Sequence, residues 1–143
     1  MTNYKETTLR DRGNLCQGVI NGKPAWTNGF TMEIGRESPF RRIKGVRWTP
    51  KDFQFIVDES VRHYPIIATA GEEIDRDGCG ENLIPLYIGD RKTAEICLND
   101  YLYFTAQYRD ATFCLPEESH SYSPVQVFSL GELVGLIMPV VRR

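Results

Sequence analysis

Apolar positions along the chain fall into short strand-like runs separated by turn residues. The first clear run is LCQGVI, followed by Asn21-Gly22 and KPAWTNGFTMEI. An Asn-Gly pair between two such runs is the strongest short-range hairpin signal, so residues 15–20 and 24–34 are predicted to form a β-hairpin. A helix is predicted from Thr49. Thr49 can cap it, Pro50 suits the first helical position, Asp52 complements the dipole, and Phe53, Ile56, Val57 and Val61 mark one apolar face. Pro65 limits that helix near His63 or Tyr64. LIPLYI (83–88) and TAEICL (93–98) read as strands around a Gly89–Lys92 turn. Asn99 can cap a second helix running to about Tyr108. Strands at 111–116, 124–129 and 132–141 complete the pattern, with Ser129–Glu132 as a tight turn between the last two. The fold class is therefore α+β: a mainly antiparallel sheet, two helices covering one face, and a β-α-β-β-β order in the C-terminal half.

Length and composition agree with that picture. The chain has 143 residues, 41% hydrophobic and 25% charged, close to an average globular domain. A chain this long buries about two-thirds of its surface on folding, enough for a core without metal or disulfide staples. Residues 1–14 read as a polar arm and 15–143 as a single domain. The formal charge of −2 means that any nucleic-acid or membrane contact needs a local patch. No run approaches the ~20 apolar residues of a membrane helix, and the polar start MTNYKETTLRDRG lacks a signal peptide's apolar stretch. Cys16, Cys79, Cys97 and Cys114 form no CxxC pair, so zinc is not expected. Cys97 and Cys114 sit in strand-like runs as buried thiols. A cytoplasmic location follows as the expectation, with no membrane partner.

Candidate chemistry is sparse. Residues 35–51 carry Arg36, Arg41, Arg42, Lys44, Arg47 and Lys51 against Glu37 alone, which suits either a solvated loop or a phosphate-contacting patch. Residues 70–82 form a glycine-rich acidic loop. Its Asp75-x-Asp77-Gly78 invites a calcium reading, yet an EF-hand would need its final glutamate where Ile84 stands, so an ordinary loop is expected. Ser121, His120 and Glu117 could be drawn as a triad, but adjacent loop residues lack the converging geometry a triad needs. No phosphate-cradling glycine loop is present, and Glu72/Glu73 and Glu117/Glu118 read as solvated pairs. A non-enzymatic protein without a cofactor is expected.

Two segments resemble the bacterial DNA sliding clamp, the DNA polymerase III beta subunit. One begins Ile96-Cys97-Leu98-Asn99-Asp100-Tyr101-Leu102, continues through Phe113-Cys114-Leu115 and Ser123-Pro124-Val125, and ends Leu133-Val134-Gly135-Leu136-Ile137-Met138-Pro139-Val140. It is similar to the clamp's last half-domain, where a strand leads into an Asn-x-x-Tyr-Leu helix start and the chain finishes in a Met-Pro strand. Here Asn99 precedes Tyr101-Leu102 with one residue fewer. The other segment, Val19 through Phe30, resembles the clamp hairpin that ends Ala-Thr-Asp-Gly-His. Trp26 is inserted before Thr27, Asn28 replaces the aspartate and Phe30 the histidine. Together the two segments span about half the chain. The family's strand and helix before the first hairpin have no counterpart in the 14 residues ahead of Leu15.

The resemblance implies a single-domain, phage- or mobile-element-like clamp that tethers replication proteins. It implies a groove for short linear peptide motifs at Thr27, Asn28, Gly29, Phe30, Met138, Pro139 and Val140. A flexible methionine and a proline beside an aromatic would suit such a pocket in any family, while strand core is the plainer role for Met138 and Val140. It further implies a homo-oligomeric ring joined by edge strands, and DNA contact, for which Arg41, Arg42, Lys44 and Arg47 are the best candidates. The alternative is a monomeric binding module or clamp mimic that captures or inhibits a host protein.

Overall fold

A computed structural model describes residues 16–28, 30–37, 57–58, 65–75, 82–116 and 123–140. Among them the chain forms β1 (Cys16–Ile20), β2 (Lys23–Thr27), β3 (Thr31–Ile34), β4 (Pro65–Ile67), β5 (Thr69–Ala70), β6 (Leu83–Ile88), β7 (Arg91–Cys97), α1 (Leu98–Gln107), β8 (Thr112–Pro116), β9 (Val125–Ser129) and β10 (Glu132–Ile137). Seven strands make one sheet in the order β1-β2-β3-β10-β9-β8-β4, and β5-β6-β7 make a second. Every pairing is antiparallel. The α+β class and the mainly antiparallel sheet agree with the sequence reading, as does the run β7-α1-β8-β9-β10.

Turn chemistry sets several of these elements. Asn21 and Gly22 both adopt left-handed backbone (φ 51° and 76°), the conformation a two-residue hairpin needs. They hold β1 and β2 in register from Ile20↔Lys23 to Cys16↔Thr27. The second run does not continue as one strand from 24 to 34. It breaks after Thr27, because the Asn28 side-chain oxygen accepts the backbone N–H groups of Phe30 and Thr31 and turns the chain back. Strands β2 and β3 therefore pair with each other, Trp26 opposite Glu33. Strands β4 and β5 have no counterpart in the sequence reading. At three and two residues they are too short to display alternation.

Three further differences have local causes. Asn99 does not cap α1: the helix starts two residues earlier than such a cap would set it, with Cys97 in the cap position and no side-chain cap. The Asn82 carbonyl accepts the Leu98 N–H instead, so backbone replaces the side chain at the exposed helix end. The β6–β7 turn is only Gly89-Asp90, since Ile88 already pairs with Arg91. Strand β10 ends at Ile137, not 141, because Pro139 has no N–H to offer a ladder. One helix, α1, is bounded among the described residues where two were expected. Of the helix predicted from Thr49, Val57 and Asp58 are helical and the rest lies outside the described residues.

The core lies between the two sheets and around α1. Trp26, Leu86, Ile96, Tyr103, Phe104, Leu115, Val125, Val127 and Ile137 are fully buried there. Burying each such side chain contributes roughly 1.5–3 kcal/mol before the entropy of ordering it is charged. Strand alternation puts Ala25, Met32, Ile34 and Leu136 on the opposite face of the large sheet, in a second cluster with Ile20 and Val57. The helical Val57 thus covers the face opposite α1, which corrects the expectation that both helices cover one face. Cys97 and Cys114 are buried, as expected, and burial raises the Cys114 thiol pKa. No helix among the described residues is long and apolar enough to cross a membrane.

Candidate functional site

Two chain segments far apart in sequence meet beside α1. The loop from Asn28 to Thr31 joins β2 to β3, and the stretch Met138–Val140 leaves β10. The Met138 N–H donates to the Phe30 carbonyl at 2.8 Å, and the Val140 N–H donates to the Glu95 carbonyl on β7 at 2.8 Å. The end of β10 therefore passes from the large sheet to the edge of the small one, and Met138 and Phe30 are neighbours where it does so.

The residues grouped by the sequence reading separate into two kinds. Met138 is 40% exposed, and Phe30, Pro139 and Val140 are half-buried. Thr27 and Asn28 are buried, so no partner can touch their side chains without moving the loop. Asn28 acts through its carboxamide, which holds the Phe30 N–H at 2.9 Å and the Thr31 N–H at 2.8 Å. Met138 and Val140 are not strand core, since both lie past the end of β10. Gly29 lies outside the described residues, as do Arg41, Arg42, Lys44 and Arg47, the arm 1–14, and the serine-rich loop with Glu117, His120 and Ser121. The Asp77-Gly78 part of the acidic loop is likewise outside them. Within its described part Asn82 donates to the Glu73 carboxylate, and Ile74 bridges Leu83.

Beneath the loop are polar groups that sequence reasoning missed. Thr31 Oγ1 donates to Asp100 Oδ1 at 2.9 Å, and Asp100 is fully buried. Asp100 stands in the first turn of α1, where the helix dipole favours a negative charge. One step along β3, Glu33 is also fully buried. Its carboxylate accepts Trp26 Nε1–H at 2.8 Å and the Tyr103 hydroxyl at 2.5 Å on one oxygen, and the Tyr108 hydroxyl on the other. Arg36 reaches over this group, donating to Gln107 Oε1 at 2.5 Å and to the Tyr103 hydroxyl at 3.4 Å. Burial, and then Glu33, push both tyrosine hydroxyls well above the usual phenol range. The only signal for Glu33 was its place between Met32 and Ile34, which face the other cluster.

Of the four tyrosines at 101, 103, 108 and 122, the three described are engaged within the fold. Tyr103 is fully buried, Tyr101 stacks on Phe113 with ring centroids 5.0 Å apart, and Tyr108 is committed to Glu33. Tyr122 lies outside the described residues. Chemically, the Phe30–Met138 region offers an apolar, adjustable surface over a rigid polar base. That arrangement could hold an apolar side chain. No protein-family model, no curated protein and no solved structure matches the chain.

Proposed function

We propose that the chain is a sliding-clamp-like, non-enzymatic protein of DNA replication, of the phage or mobile-element kind, that tethers a partner through a short linear motif held at Phe30 and Met138–Val140. The observation that carries this reading is the Met138 N–H to Phe30 carbonyl hydrogen bond. It joins the two segments whose resemblance to clamp sequences suggested a shared groove. Met138 can adapt its unbranched side chain to different apolar anchors, and Phe30 supplies a flat wall. Panning a displayed library of random linear peptides tests the site. Peptides with an apolar anchor should be retained by the wild type and lost on Met138→Asp; a library from which the wild type retains nothing overturns the reading.

The alternative, a monomeric binding module or clamp mimic, is favoured by one observation. The α1 segment LNDYLYFTAQ carries no lysine or arginine, and its one acid, Asp100, is buried. It offers no cationic track for DNA, which leaves Arg41, Arg42, Lys44 and Arg47 as the proposed contacts. Light scattering behind a sizing column, at two protein and two salt concentrations, separates the two readings. A fixed oligomeric mass supports a ring joined by edge strands, and a clean 16.4 kDa monomer removes encirclement by the protein alone.

A further inference from the structure

We infer that Asp100 is a positioning residue for the partner-binding surface, acting through Thr31 and Asn28 on Phe30; the inference rests on the binding reading above. The chain of contacts is continuous. Asp100 accepts the Thr31 hydroxyl at 2.9 Å, Asn28 Oδ1 accepts the Thr31 and Phe30 N–H groups, and the Phe30 carbonyl accepts the Met138 N–H. Every side chain in it except those at the surface is buried: Asp100, Thr31 and Asn28 are each at most 1% exposed.

Burying a carboxylate is costly unless its charge is held by donors or a dipole. An apolar group would fill the same space more cheaply. What the carboxylate supplies instead is direction. The Thr31 hydroxyl can point only one way to meet Asp100, and that orientation adds to the Ile137 pairing and the Asn28 N–H to Thr31 carbonyl bond in fixing the first residue of β3 below the loop. The loop then presents the Phe30 carbonyl to Met138 in one arrangement. A surface ordered in advance loses less freedom on binding, so the same contacts yield a tighter complex. The anchor comes from the start of α1, and so the helix helps to set the position of the surface.

The test uses three variants of the full chain. Thr31→Val removes the hydroxyl at constant shape, Thr31→Ser restores it, and Asp100→Asn removes the charge. Amide hydrogen exchange is read on the peptide-free protein. In Thr31→Val the Phe30 and Met138 amides should exchange about tenfold faster, the factor of one lost hydrogen bond, while the Ile96 and Val127 amides keep their rates. Thr31→Ser should return to wild type. The tightest peptide recovered from the library should bind Thr31→Val about tenfold more weakly by fluorescence polarisation, with recovery in Thr31→Ser. Unchanged exchange at Phe30 and Met138, or an equal rise throughout the sheet, overturns the inference. Should Asp100→Asn fail to fold, the two threonine variants still decide it. If the wild type binds no peptide, the binding reading falls, and the exchange data still report separately whether Asp100 orders the loop.

Discussion

Strand β3 meets helix α1 twice, and the two meetings use the same chemistry in opposite senses. At Glu33 the strand supplies the carboxylate, the helix supplies the hydroxyl of Tyr103, and its C-cap residue supplies that of Tyr108. At Thr31 the strand supplies the hydroxyl and the helix supplies the carboxylate, Asp100. Glu33 sits among aromatic rings, with Trp26 edge-on to Tyr103 and Tyr103 edge-on to Phe104. Asp100 sits under a loop that opens to the surface at Phe30 and Met138. The first meeting joins large buried surfaces, and the second orders a small exposed one. A buried carboxylate can thus act as a fastening or as a guide, and what lies on its far side decides which.

The largest expected effect breaks the fastening. Glu33→Ala strands the donors of Trp26 and Tyr103 in the core, removes the partner of half-buried Tyr108, and should cost about 4 kcal/mol. Thr31→Val should cost only about 1 kcal/mol. Urea midpoints at constant m-value measure both. Equal costs would show that the two meetings do the same work. Between them lies Gly135, where an added Cβ would stand 2.5 Å from Phe104 ring carbons and 2.6 Å from the Met32 carbonyl oxygen. The carbonyl is backbone and cannot step aside, so Gly135→Ala should cost about 2–3 kcal/mol.

Alkaline pH sharpens the same contrast. Both tyrosines at Glu33 have hydroxyl pKa values raised in the folded state, so above about pH 10 the unfolded chain releases protons that the folded chain retains. Stability is then fully present below pH 10 and falls as pH rises. Each tyrosine steepens that fall by about 1 kcal/mol per pH unit, over a shorter pH window for half-buried Tyr108 than for buried Tyr103. Tyr103→Phe should flatten the alkaline limb of a denaturation series, whereas Thr31→Val should leave its slope unchanged.

How much of this could be read from the sequence depended on how local its cause was. The Asn21-Gly22 hairpin, strand β6 and the β7-α1-β8-β9-β10 order were legible, because neighbouring residues specify them. The break after Thr27 was signalled by Asn28-Gly29, the same pair as Asn21-Gly22, but that signal was absorbed into the run from 24 to 34 and read as strand. Glu33 and Asp100 were illegible for another reason. Their partners across the strand–helix contact lie about 70 residues away in the chain, and an isolated acid in a strand or a helix usually faces water. Both faces of the large sheet are covered, so alternation could not say that Glu33 points into a core. Of the candidate site, only the pairing of Phe30 with Met138 was anticipated, and that came from resemblance, since spacing alone does not bring positions 30 and 138 together.

The smallest expected effect is a gain, and it provides the control for both meetings. Leu130 and Gly131 turn β9 into β10 with φ of 52° and 81°, and Leu130 is 77% exposed. A leucine held left-handed costs roughly 1–2 kcal/mol, and one this exposed recovers little by burial. Asparagine tolerates the same backbone, so Leu130→Asn should raise stability by about 1 kcal/mol. The position lies roughly 20 Å along β10 from Ile137, which pairs with Thr31. At that separation effects add, so Leu130→Asn should offset the stability lost in Thr31→Val almost completely. It should not slow the exchange of the Phe30 and Met138 amides. If regained global stability also restored those two amides, the Asp100 contact would be serving the fold as a whole, and the distinction between fastening and guide would collapse.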